Sequence, residues 1–466
     1  MRTLIASLLL LPSLLQAQTT RPNILFIMAD DLGPYVGCYD QPVKTPNIDA
    51  LAARGMRFER NYCQYPLCGP SRCSLMAGLR PDTTGVLGNG LPVRHKLKDV
   101  VTLPQFFRQH GYFAARVGKI YHLDIPGGVG TSGPDDPPSW DYTFNPKGNE
   151  FPSDDDGEKV NPNPKDGQSF RYNMLKGDGH DQADYQSATE AIRLLNEHKD
   201  GPFFLAVGFI RPHVPEVAPK TYFDLYPLNE IKPLPGSEQD QSMLPRGAIQ
   251  HSRPDLGMTP QQCLESIRAY HATTSFMDAQ VGRVLEELSR LTSTSSVESR
   301  LSAQTIVIFL GDHGYLLGQH REWQKMTLFD NTCKVPLIIS VPGMKPGVTS
   351  ALSESIDLYP TLCALAGFTG PKELQGVSLV PVLKDPKASV QSAAYTQVQR
   401  PARKVEGRSV RTERWRYTQW KGEGDGAELY DELNDPAELT NLERDPAHAD
   451  IVAKMREIIV EPAATH

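Results

Sequence analysis

Five short apolar runs punctuate the chain: residues 23–29 (NILFIMA), 112–117 (YFAARV), 203–210 (FFLAVGFI), 305–310 (TIVIFL) and 336–341 (PLIISV). They are rich in β-branched and aromatic residues and show little polar alternation, which predicts strands buried on both faces. Between them, residues 46–54, 103–110, 185–197 and 261–291 carry apolar positions at helical spacing. Strands alternating with amphipathic helices predict an α/β fold, a large, mixed but mostly parallel sheet flanked by helices.

Residues 124–170 break this pattern with runs such as PGGVGTSGPDDPPSW and FPSDDDGEKVNPNPKD. So much Pro, Gly and Asp predicts loop. After about residue 386 the runs shorten, as in 408–420 (RSVRTERWRYTQW) and 428–430. A small C-terminal α+β subdomain with a short antiparallel sheet is therefore expected over 386–466, after a larger domain over 18–385. Arg2 precedes an apolar run ending in Leu15-Gln16-Ala17, the layout of a cleaved signal peptide over residues 1–17. The run is shorter than the roughly 20 residues of a spanning helix. The expectation is a secreted or periplasmic protein that has no membrane association after cleavage.

Composition changes the picture little. Of 466 residues, 39% are hydrophobic and 22% charged, which suits a globular protein and neither a disordered chain nor a membrane bundle. A formal net charge of -7 gives no reason to expect a nucleic-acid partner. Cysteines stand at 38, 63, 68, 73, 263, 333 and 363. An odd number in an exported chain leaves at least one thiol without an internal partner, and spacing does not say which of the others pair.

The chemistry gathers where strands end, since ligands of open α/β sheets bind outside the carboxyl ends of the strands. Asp30 and Asp31 follow the first run, Lys119 and His122 the second, Arg211 and His213 the third, and Asp312 and His313 the fourth. Three converging carboxylates repel one another unless a cation lies among them, and oxygen ligands favour calcium or magnesium over zinc. In YPLCGPSRCSLMAGL, Pro70 and Ser71 suit a helix start, which sets Cys68 at a helix N-terminus with Arg72 one turn on. A thiolate nucleophile and an ordinary buried cysteine both remain open there. The thiol-phosphatase pattern does not fit, because Ser74 stands where its arginine belongs.

Cys68-Gly69-Pro70-Ser71-Arg72, continued by Leu75, Gly78 and Pro81, resembles the C-x-P-S-R signature of the formylglycine-dependent (type I) sulfatases. RPNILFIMADD, TPNIDALAARGMRF, VGKIYH, FLAVGFIRPHVP, FLGDHGYLLGQH and EWQKMTLFD agree with it across the mature chain. GKIYH, FFLAVGFIRPHVP and SVRTERWRYTQW resemble the iduronate-2-sulfatase branch in particular. The resemblance implies an alkaline-phosphatase-like sulfatase fold. It implies that Cys68 is converted to formylglycine by a formylglycine-generating enzyme, and that its hydrated aldehyde is the nucleophile. One Ca2+ ion would be held by Asp30, Asp31, Asp312, His313 and residue 68. Arg72 and His122 would orient the diol, Lys119 and Lys325 would bind sulfate, and His213 would protonate the leaving alcohol. The implied substrate is a sulfated carbohydrate, cut by exo action at a uronic acid or related sugar. Tyr315 stands where that branch carries Trp, so the wall facing the sugar is expected to differ. Arg411, Arg414, Trp415, Arg416 and Trp420 are candidates for recognising an anionic sugar, or else the wet and packed faces of one strand. A phosphate or phosphonate diesterase of the same superfamily, or a silent glycan-binding protein, are the alternatives.

Overall fold

β1 (Asn23–Asp30) is buried along its whole length. Ile24, Phe26 and Met28 enter one core, while Leu25, Ile27 and Ala29 enter another. Both faces of the strand are therefore covered, which is why its sequence lacks polar alternation. The computed structural model describes residues 21–150, 157–161, 170–293 and 300–460; the signal-peptide expectation for 1–17 and part of the 124–170 loop lie outside these.

Among the described residues the main sheet has eight strands: β1, β2 (Met56–Tyr62), β3 (Phe113–Gly118), β4 (Tyr142–Phe144), β5 (Phe203–Pro212), β6 (Thr305–Gly311), β7 (Lys334–Ser340) and β8 (Gly347–Glu354). Their spatial order is β8, β2, β7, β6, β1, β5, β3, β4. β1 is parallel to β5 and β6, β3 to β5 and β4, and β8 to β2, whereas β7 runs antiparallel to both β6 and β2. The sheet is thus mixed and mostly parallel. The apolar runs did not mark β2, β4 and β8. β2 mixes Arg57, Glu59 and Arg60 into its length because one face is partly wet, and β8 lies at the sheet edge.

Helices cover both faces. α1 (Pro46–Ala52), α4 (Ala183–His198) and α5 (Pro260–Arg290) close one core, whose α5 face is Met277, Val281, Val284, Leu285 and Leu288. α2 (Cys68–Ala77), α3 (Leu103–Gln109) and α6 (Leu358–Leu365) close the other through Met76, Phe106, Phe107 and Leu362. α3 and α5 each begin with a capping box, Thr102 with Gln105 and Thr259 with Gln262, which satisfies their first free amides.

A second, antiparallel sheet runs through β9 (Ala394–Arg400), β10 (Val405–Arg411), β11 (Trp415–Gly422) and β12 (Gly426–Asp431), backed by α7 (Ala449–Ile458). The strand-like run 408–420 is in fact a hairpin, broken between Arg411 and Trp415. Its inner face meets the main sheet through charge. Arg416 pairs with Glu438 and, at 3.3 Å, with Glu432; the Asp330 amide donates to Glu438 at 2.7 Å. Lys334 and the Tyr62 hydroxyl reach Asp330 at 2.6 and 2.9 Å. Arg411, Arg416 and Trp420 are buried, the two arginines in ion pairs, and so are spent on packing, whereas Trp415 is half-buried and Arg414 is exposed, paired with Asp431 at 2.6 Å.

Arg416 is 1% exposed, so removing Glu438 leaves its buried charge to Glu432 alone and strips the Asp330 amide of its acceptor. Glu438→Ala should destabilise the fold by about 3–5 kcal/mol, read as a lower urea midpoint. A loss under about 1 kcal/mol, the range of surface pairs, would show that the pair is not buried in solution.

Candidate active site

Four parallel strands, β1, β3, β5 and β6, deliver their carboxyl ends to one edge. There lie Asp30 and Asp31, Lys119, His213, and Asp312 with His313. Because β7 runs the other way, the 312–333 segment that precedes it crosses the same edge and brings Lys325. Cys68 opens α2 and is fully buried. Gly69 lets the helix start press against Asn89: a Cβ there would lie 2.8 Å from Asn89 Cα, and the Gly69 amide donates to Asn89 Oδ1 at 2.9 Å.

Arg72, with 0% exposure, ties the cluster together. Its Nη2 meets Asp30 Oδ1 at 3.0 Å and its Nε meets Asp312 Oδ2 at 2.8 Å. Nη1 donates to the carbonyls of Lys119 and, at 3.1 Å, Ile120. Lys119 is itself buried with its ammonium on Asp30 Oδ2. Lys325 Nζ lies 2.5 Å from Asp31 Oδ1 and 3.3 Å from Cys68 Sγ, with 17% of its side chain exposed. His313 Nε2 is 3.2 Å from Asp31 Oδ1 and 3.4 Å from Cys68 Sγ. Its Nδ1 donates to the Gly314 carbonyl at 2.8 Å, which leaves Nε2 as the nitrogen that faces the cluster.

Donor atoms of Asp30, Cys68, Asp312 and His313 lie within 4.8 Å of one another, and so do those of Asp30, Asp31, Cys68 and His213. Asp31 Oδ2 is buried without a hydrogen-bond partner. Three carboxylates, one with an orphaned oxygen, beside two imidazoles and the single sulfur of Cys68 make a donor set that fits a hard cation. Asp31 adopts φ 59°, a conformation disfavoured outside glycine, and strain of this kind concentrates at functional sites. His213 Nε2 is 3.9 Å from Asp31 Oδ2, and His213 Nδ1 donates to the Val214 carbonyl at 2.6 Å. His122 borders the cluster without bonding to it: the charges of Lys119 and Asp30 act on its ring, its Nε2 is 3.9 Å from Asp124, and its Nδ1 is buried without a hydrogen-bond partner.

Residues 22–368 match the Sulfatase family, and residues 318–464 match the family described as N-sulphoglucosamine sulphohydrolase, C-terminal. The chain belongs to the sulfatase family. It is 32% identical to the iduronate 2-sulfatase of Mus musculus, covering 93% of each chain. It is 30% identical to the Delta 4,5-hexuronate-2-O-sulfatase of Bacteroides thetaiotaomicron, covering 95% of this chain and 89% of that one. A solved structure of a 2-O GAG sulfatase superposes with a TM-score of 0.73 at 27% identity, covering 94% of this chain and 91% of that one.

Two residues that shape this sulfatase's site, Tyr270 and Glu150, carried no signal in the sequence. Tyr270, in the middle of α5, donates its hydroxyl to the Asp31 carbonyl at 2.7 Å and accepts from the Gly33 amide at 3.2 Å. Its spacing is that of any core residue. Arg211 pairs with Glu150 and donates to the carbonyls of His213 and Val217, both at 3.1 Å, so the 124–170 loop helps to fix His213. Tyr315, expected to alter the wall facing the sugar, is instead 2% exposed and stacked on Tyr270, ring centroids 5.3 Å apart. The hydrogen bond of the Tyr35 hydroxyl to its carbonyl, at 2.8 Å, keeps this segment inside.

Charge sets the protonation states. Burial opposes ionisation of Asp31, but His213 and Lys325 outweigh it and hold the carboxyl well below the usual range. For Cys68, burial and the Asp30 charge push the thiol up, yet Lys325 and Lys119 bring it down to about 7. Burial, followed by the Lys119 charge, pushes His122 down to about 4.

The unfolded chain takes a proton on that histidine as the pH falls through about 6.5, whereas the folded chain does so only near 4. The folded state therefore loses stability across that window and not above it. His122→Asn should flatten this dependence, measured as urea midpoints from pH 7 to pH 4. Parallel losses in both proteins would mean that the ring is not held neutral.

Proposed function

We infer that this sulfatase is a formylglycine- and calcium-dependent exo-sulfatase. It removes an O-sulfate from a uronic acid or related sugar of a sulfated polysaccharide or its oligosaccharides. The observation that carries the reading is the setting of Cys68, at a buried helix N-terminus against Asp31, His313 and the ammonium of Lys325. The iduronate and hexuronate in the names of the two relatives support the uronic-acid class, and the solved 2-O GAG sulfatase supports a 2-O-sulfated glycan. Export rests on the layout of residues 1–17, and maturation of Cys68 requires a formylglycine-generating partner.

Asp30, Asp31, Asp312, His313 and residue 68 are the residues that would hold the ion. Calcium would supply polarisation of a sulfate oxygen, and the formylglycine hydrate would supply an attacking hydroxyl together with a second one whose deprotonation lets sulfate depart as the aldehyde returns. The chain's own residues do the rest. Arg72 fixes the two outer carboxylates in orientation. Lys325, the cation with a path to solvent, meets the sulfate oxygens and offsets charge developing on them. Lys119, bound to Asp30, adds positive potential from behind. His213, tethered through Nδ1, presents Nε2 as the nitrogen that can pass a proton to the departing sugar oxygen. His122, neutral above about pH 4, can take up a proton at its unpartnered Nδ1 as sulfate leaves.

The first test is ion chromatography of sulfate and phosphate released from sulfated oligosaccharides and from phosphate and phosphonate diesters, with residue 68 checked by peptide mass. Sulfate from a 2-O-sulfated uronide is the expected outcome; phosphate alone would move the protein to diester hydrolysis. Cys68→Ala should abolish release while the folded baseline persists, because it truncates one pocket side chain. Chelation of calcium should lower both activity and Tm, and added calcium should restore them. His213→Ala should cost about 10²- to 10⁴-fold on sugar sulfates and much less on aryl sulfates, whose leaving groups need no acid. Equal losses on both would make His213 a binding residue only.

A further inference from the structure

Lys325 stands on a backbone that is costly to hold. Both of its neighbours, Gln324 (φ 67°) and Met326 (φ 73°), occupy the left-handed region without being glycine. Such a conformation persists only where the surroundings over-determine it. One support is local: the Met326 amide donates to the Pro66 carbonyl at 3.2 Å, two residues before Cys68.

The other support comes from the C-terminal sheet. Arg400, the last residue of β9, is 5% exposed, and among the described residues no carboxylate pairs with its guanidinium. Its donors go to backbone carbonyls instead. Nε donates to Met326 O at 3.0 Å and Nη2 to the same oxygen; Nη1 donates to Gly247 O at 2.6 Å and Ile249 O at 3.2 Å. The guanidinium lies over the Trp420 ring, 5.1 Å from its centroid. Trp420 is fixed in turn by its Nε1 bond to Glu428 at 2.6 Å, and Gly407 and Gly247 leave it room, since a Cβ at either would overlap the indole. A buried cation spent on carbonyls is an expensive way to join segments, and here it gathers three: the Lys325 turn, the 247–249 loop and β9.

We propose that Arg400 is a positioning residue for the reaction: from the C-terminal sheet it grips the Met326 carbonyl and so holds Lys325 at the sulfate position beside Cys68. The assignment rests on the role given above to Lys325. Arg400 itself touches no reacting atom.

The test is a double-mutant cycle on the matured, calcium-loaded enzyme, using sulfate release from the sulfated uronide and hydrogen exchange of residues 316–329. Arg400→Met should lower kcat/KM by about 10- to 100-fold, as losses of ligand-orienting contacts do. In a Lys325→Ala background the same change should cost less than about twofold, because the group it positions is gone. Exchange in 316–329 should quicken while β1 and β6 stay protected. Arg400→Lys, which keeps the buried cation, should recover part of the loss and serves if the Met variant does not fold. An Arg400 variant within about twofold of the native enzyme, or equal losses in both backgrounds, overturns the proposal. If Lys325→Ala alone leaves sulfate release unchanged, the reading of Lys325 as a sulfate ligand fails. The exchange result then decides whether Arg400 holds the turn.

Discussion

The guanidinium of Arg72 reaches Asp30 with one nitrogen and Asp312 with another, from a position closed to solvent. Two like charges about 4 Å apart repel by roughly 4 kcal/mol at the effective dielectric of a protein. A third carboxylate, Asp31, adds to the burden. With Arg72 and Lys119 on Asp30 and Lys325 on Asp31, three cations answer three anions, and the cluster can be buried while staying ionised. Two other properties of the site depend on that balance: the depressed carboxyls of Asp30 and Asp31 and the lowered thiol pKa of Cys68.

Strand direction makes the balance possible. Parallel strands bring their carboxyl ends together, so Asp30, Lys119, His213 and Asp312 meet although they are far apart in sequence. The one counter-running strand, β7, returns the chain to the same edge and carries Lys325 in before it starts. α2 supplies the remaining piece, its N-terminus aimed into the cluster. An all-parallel sheet with a crossover before β7 would leave that lysine at the opposite edge.

Buried charge also joins the two sheets. The Arg411, Arg416, Glu432, Glu438, Asp330 and Lys334 network lies between them, and Arg400 extends the same logic to the backbone around Lys325. Charged contacts of this kind add little net stability against well-packed apolar ones, but they penalise any misplacement, because each partner left alone is an unpaired buried ion. The C-terminal sheet is in this sense part of the catalytic edge and not an appendage to it.

The sequence by itself determined the strands that run through two buried cores, since only an unbroken apolar run can fill both faces of a covered sheet, and it marked the chemistry at their ends, because Asp30-Asp31, Lys119, His213 and Asp312-His313 each follow such a run within three residues. It also marked Cys68 and Arg72 through a local helix-start motif. Only the tertiary structure decided what is local to no segment. Strands with a wet face, β2 and β8, leave a mixed pattern that resembles a surface loop. A tyrosine at core spacing, Tyr270, is indistinguishable from packing until its hydroxyl is seen on Asp31. Arg411 and Arg416 look like part of a binding face until the hairpin turns them inward. Arg400 carries no motif at all, because its partners are backbone carbonyls, and carbonyls are the same in every sequence.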